Sequence, residues 1–140
     1  MSFAWTFQGG RRIVKTISST AGNVTTDLSP GSGKRWLVLR GYLTFETGAT
    51  AGNRYPLIFI TDGSNNVGKV AAHDVMTENS SGAMIFGEAQ SWRTNVDADA
   101  DMIGIRPILL EGSDTLRIRI SSGLAEDSYS GYVVVLEVDV

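Results

Sequence analysis

Residues 33–45, Gly-Lys-Arg-Trp-Leu-Val-Leu-Arg-Gly-Tyr-Leu-Thr-Phe, constrain the fold more than any other part of the chain. They follow a Pro30-Gly31-Ser32 turn and read as one long strand with apolar residues on both faces. Successive strand side chains point to opposite sides. Leu37, Leu39, Leu43 and Phe45 are therefore expected on one side, and Trp36, Val38 and Tyr42 on the other with Arg40 among them. A free-standing sandwich domain needs only one apolar face per strand. The second apolar face predicts a cover, such as a neighbouring subunit. Trp36, Val38 and Tyr42 are the expected interface residues, joined by Val133 and Val135 on the second face of the last strand.

The rest of the chain repeats the pattern at short spacing. Strands are expected over 8–18, 24–28, 34–47, 54–61, 67–72, 83–86, 102–110, 115–120 and 129–140, with a further short one at 89–93. Asp62-Gly63 and Glu111-Gly112-Ser113-Asp114 are strong turn signals between them. Pro107 marks an edge or a bulge in its segment. Thr115–Ile120 alternates, with Leu116, Ile118 and Ile120 facing in and Arg117 and Arg119 facing out. In the last strand Tyr132, Val134, Leu136, Val138 and Val140 share a side. No segment sustains a 3.6-residue apolar period. Eight to ten short strands without an amphipathic helix predict an all-β, single-domain antiparallel β-sandwich over residues 1–140, of jelly-roll type.

Composition narrows the function classes. A chain of 140 residues is expected to form one domain. It has no cysteine, so disulfides, thiolate metal sites and a Cys nucleophile are excluded. The net charge is −3 with both signs interspersed. A nucleic-acid partner would call for a basic stripe, and none is expected. No apolar run approaches the ~20 residues that span a bilayer, and the first residues lack the basic-then-apolar order of a secretory signal. No membrane association is expected.

Each cluster with chemical potential falls short of a reaction. Asp97, Asp99 and Asp101 alternate and invite comparison with a calcium loop. However, Met102 stands where that motif needs Gly, and Ile108 where it needs a bidentate Glu, so a solvated loop without metal is expected. Gly31-Ser32-Gly33-Lys34 lacks the first Gly and the Ser/Thr of a phosphate loop, and a strand follows it, so it is expected to be a turn. His73 is the only histidine. Alone it cannot build the two- or three-histidine site of the jelly-roll metalloenzymes, and no hydroxyl nucleophile is identifiable beside it. Catalytic residues, cofactor and metal are therefore all read as none, and the chain is not expected to be an enzyme. Among Trp5, Trp36 and Trp92, Trp92 is the best placed for a glycan contact.

Gly31-Ser32-Gly33-Lys34-Arg35-Trp36-Leu37-Val38-Leu39, leading to Thr61-Asp62-Gly63, resembles small β-rich virion proteins of tailed bacteriophages. So do Asp114–Ile118 and Gly131–Val138. The resemblance covers about half of the chain and transfers no functional residue. It implies a structural protein of the virion, in capsid decoration or at the head–tail junction or fibre base. Such a protein is a homo-oligomer, typically a trimer, assembled in the host cytoplasm from copies of itself and other virion proteins. The competing expectation is a carbohydrate-binding adhesin module that works through its loops and Trp92.

Overall fold

The computed structural model describes residues 9–87, 93–97 and 100–140. Among them are eleven strands and no helix: β1 (Arg11–Ala21), β2 (Thr26–Leu28), β3 (Lys34–Glu46), β4 (Tyr55–Thr61), β5 (Asn66–Ala72), β6 (Ser81–Gly87), β7 (Arg93–Asp97), β8 (Ala100–Gly104), β9 (Ile108–Glu111), β10 (Thr115–Ser121) and β11 (Ser128–Asp139). One sheet runs β1-β11-β3-β6-β8-β7, with β9 also paired to β3, and the other runs β2-β10-β4-β5. All ladders are antiparallel except β6–β8. The two sheets pack face to face, so the chain is a β-sandwich.

Local chemistry accounts for the hairpins. At the β4–β5 turn the Asp62 carboxylate accepts from the amides of Ser64 and Asn65 at 3.1 and 2.9 Å, while Gly63 takes a φ of +98°. A side chain that imitates a backbone turn next to a residue free to adopt positive φ is a strong hairpin signal. These amides, Asn65 first, hold the Asp62 carboxyl below its ordinary range. The segment expected as one strand over 102–110 is two strands. Pro107 lies in the break between β8 and β9, where its missing N–H disrupts no ladder.

The core contains Ile58, Leu116 and Ile118 from the smaller sheet, facing Val38, Leu43, Phe45, Met84, Phe86, Leu110, Val133 and Val135 from the larger. In the larger sheet one inward row runs Lys15, Val133, Gly41, Phe86. Gly41 is required there because a Cβ would sit 2.3 Å from the Phe86 ring. Tyr129, also buried, donates its hydroxyl to the Val24 carbonyl at 2.8 Å and shares a 2.6 Å hydrogen bond with Thr26, which ties the short strand β2 to the core.

The faces of β3 and β11 differ from those that simple alternation predicts. Val134 pairs with Arg40 but Val135 pairs with Val38, so Leu39 is an extra residue on β3. A bulge of this kind reverses the side-chain alternation on either side of it. Before the bulge Trp36 and Val38 face inward. After it Gly41, Leu43 and Phe45 do. Leu37 therefore turns outward with Arg40 and Tyr42 and does not share a side with Leu43. On β11 it is Val133 and Val135 that enter the core. Trp36, Val38, Val133 and Val135 are thus buried inside the chain itself and cannot serve as the contact surface for a neighbour. Tyr42 alone of the five expected residues lies on the outer face.

Candidate interaction surface

A second apolar face exists, built from other residues. Strand register places three rows on the outside of the larger sheet: Thr16, Tyr132, Tyr42 and Ile85; Val14, Val134, Arg40 and Gly87; and Arg12, Leu136, Leu37 and Leu109. Val14 is 56% exposed, Tyr132 40%, Leu109 39% and Tyr42 36%. Leu37 and Val134 are buried at the floor of this face, outside the core cluster between the sheets. The Tyr42 and Tyr132 rings lie 6.0 Å apart in a tilted pair, within the range of a favourable aromatic contact. The only charged groups in these rows are Arg12 and Arg40. Mostly apolar and without a carboxylate in these rows, the face is suited to docking rather than to bond chemistry.

The other expected sites are placed as follows. The Trp36 indole N–H donates to Glu137 at 2.7 Å, and Arg11 approaches the same carboxylate at 3.3 Å. The indole hydrogen bond first, and Arg11 after it, hold the Glu137 carboxyl below its usual range against the opposing effect of burial. The Lys15 ammonium lies 5.1 Å from the Trp36 ring. His73 is half-buried, its Nδ1 2.8 Å from the Asp74 carbonyl and its ring 6.1 Å from that of Phe45. Gly31–Lys34 is a turn into a strand, with Gly31 and Gly33 at positive φ. Trp5, Trp92 and Asp99 lie outside the described residues, as do the side chains of Asp97 and Asp101. Among the described residues no group of three or more His, Asp or Glu is placed to hold a metal ion.

One polar cluster has no counterpart in the sequence reading. Arg54 and Asp127 are each 1% exposed. The Arg54 Nε and Nη2 donate to the two Asp127 oxygens at 3.1 and 3.2 Å, and Nη1 donates to the Gly52 carbonyl at 2.7 Å. Asp127 also accepts from the amides of Gly48 at 2.8 Å and Leu124 at 2.7 Å. Burial pushes its carboxyl upward, but the guanidinium and the two amides outweigh burial and leave it below the ordinary aspartate range. Glu126 accepts from the Thr50 amide at 2.9 Å and stands 3.6 Å from Arg54. The cluster joins the loop after β3 to the loop before β11. All three guanidinium nitrogens of Arg54 and both carboxylate oxygens of Asp127 are hydrogen-bonded within the chain, so the pair is a structural tie. No local pattern announces it, because the two partners stand 73 positions apart.

Compared with known protein families and with curated proteins, the chain matches no family and none of those proteins.

Proposed function

We propose that the chain is a structural assembly subunit, a virion structural protein of the tailed-bacteriophage kind, which works by protein–protein packing and carries out no reaction. The observation that carries this reading is the outer face of the larger sheet, where Val14, Tyr42, Leu109 and Tyr132 stand exposed around buried Leu37 and Val134. Soluble monomers rarely present a contiguous apolar surface of this kind without a binding reason. The occupant in this reading is a further copy of the chain in a closed ring, a trimer, which satisfies every subunit's patch at once. Other virion proteins cover what the ring leaves. The reading includes a jelly-roll-like connectivity, supported by the pairing of first and last strands and by the repeated passage of the chain between the sheets over β1 to β4.

The test is light scattering coupled to size exclusion. Wild type is expected to run as a trimer. Tyr42→Lys is expected to run as a folded monomer, because Arg40 and Arg12 on the same face offer the new ammonium no counter-charge. An unpaired charge buried at an interface costs several kcal/mol (roughly 2–7 for a polar group, more for an ion). A wild type that stays monomeric at high concentration would refute assembly through this face.

A further inference from the structure

We propose that the outer face of the smaller sheet, on the opposite side of the sandwich, is a binding site for an acidic saccharide of one or two residues bearing a carboxylate. The proposal does not depend on the assembly reading. A groove of about 530 Å³ is open there, with Leu57 and Phe59 of β4 at its floor and Asn66, Val67, Lys69 and Arg119 around it. That volume lies within the range of small-ligand sites (roughly 300–1,000 Å³).

Two arginines of β10 stand on this face of the sheet. Arg117 and Arg119 both point outward, and both guanidiniums lie over the Phe59 ring, at 5.9 and 5.0 Å from its centre. Arg117 is engaged by a carboxylate: Asp27 accepts from its Nε and Nη2 at 2.7 and 2.9 Å. Arg119 lies over the same ring without a carboxylate from the described residues. Among the described residues neither Arg119 nor Lys69 has an ion-pair or hydrogen-bond partner. Arg119 is exposed to solvent, so its guanidinium, 5.0 Å from the ring centre, keeps N–H donors free for the bidentate contact that such groups make with carboxylates. The Asp27–Arg117 pair shows the contact that a ligand carboxylate would make with Arg119.

The remaining lining favours a sugar over an acidic peptide. β4 is hydrogen-bonded on both sides, to β10 and to β5, so the floor offers no free backbone ladder for a peptide strand. Leu57 and Val67 present apolar surface to the C–H face of a sugar ring, Asn66 carries both a donor and an acceptor for hydroxyls, and Lys69 lies across the floor from Arg119. The two cations project from strands separated by β4, with Lys69 in the row of Phe59 and Arg117, and Arg119 in the next row, beside Leu57. Their backbones are roughly 12 Å apart from the strand spacing and rise, a span that a saccharide of one or two residues can bridge. Phe59 itself is buried beneath the guanidiniums, so recognition runs through charge and hydroxyls rather than ring stacking.

The experiment is an NMR titration of the full chain with a uronic-acid disaccharide, the neutral disaccharide of the same linkage, and a short glutamate-rich peptide. The uronate is expected to shift amide resonances of residues 57–59, 66–69 and 119. Arg119→Gln is expected to weaken binding by roughly tenfold or more, the worth of a charge-assisted hydrogen bond, with Arg119→Lys falling between. Lys69→Gln, on an exposed edge strand, is expected to weaken it without touching the core. The neutral sugar is expected to bind roughly tenfold or more weakly than the uronate for the same reason. Absence of uronate binding at about 10 mM, tenfold above a millimolar dissociation constant, would overturn the proposal. So would equal binding of the neutral sugar, equal binding by Arg119→Gln, or tighter binding of the acidic peptide.

Discussion

Asp127→Ala is expected to be among the most destabilising single changes available to this chain. The substitution removes both guanidinium hydrogen bonds from Arg54 and leaves the amides of Gly48 and Leu124 without an acceptor. Breaking a buried ion pair by deleting one partner costs about 3–5 kcal/mol, and an orphaned buried amide about 1–3 kcal/mol. Two contacts limit the loss: the Gly52 carbonyl still accepts from Arg54, and Glu126 can turn toward the vacated guanidinium. A net cost of about 4 kcal/mol follows, which lowers the thermal midpoint by roughly 12 °C for a domain of this size. Asp127→Asn keeps one acceptor oxygen and is expected to cost about half as much. The sign of the pH dependence follows from the carboxyl's lowered position in the folded state. Its stabilisation is complete above the ordinary aspartate range and is lost as pH falls through the lowered folded range. Wild type and Asp127→Ala should therefore differ fully at neutral pH and converge only in strong acid. Calorimetry across that range measures both quantities. A loss below about 1 kcal/mol at neutral pH, the size of an ordinary exposed pair, would refute the reading of the cluster as a buried tie.

Two further substitutions test the core. Gly41→Ala places a methyl group 2.3 Å from the fully buried Phe86 ring and is expected to cost about 1–3 kcal/mol by overpacking. Denaturant unfolding should show the midpoint restored in part by adding Phe86→Leu. Trp36→Phe deletes the indole donor to Glu137 while keeping most of the ring volume, at an expected cost of about 1–3 kcal/mol for the poorly satisfied carboxylate. Because Glu137 is held below its usual range by that donor, the deficit should be full at neutral pH and shrink as the medium is acidified through the folded range. A deficit independent of pH would assign the effect to packing instead.

Most strand positions were legible from the residues alone. Turn chemistry at Asp62-Gly63 and Glu111-Gly112, and the alternation of Leu116, Ile118 and Ile120, are local properties, and the strands begin and end close to where they predict. Sidedness was legible only between irregularities. In β10, which carries none, inward and outward residues fall as alternation requires. In β3 one extra residue at Leu39 exchanges the two faces, so Trp36 and Val38 lie inside while Leu37 joins Tyr42 outside. Apolar residues do occupy both faces of the larger sheet, but four of the five residues expected on its outer face belong to the core.

The sequence by itself determined an all-β chain: alternating apolar residues punctuated by Gly, Asp and Pro leave no helical stripe to bury. It also excluded thiol chemistry, because the chain has no cysteine. The tertiary structure decided everything that depends on what lies opposite a residue. The parallel β6–β8 pairing, the meeting of Arg54 with Asp127, and the contrast between Arg117, bound by Asp27, and Arg119, which has no carboxylate among the described residues, all join residues remote in sequence or set by register across strands. Local periodicity records only the two sides of a strand. Which side faces the core is set by the partner strand and by any bulge in its ladder, and a shift of one residue exchanges the two.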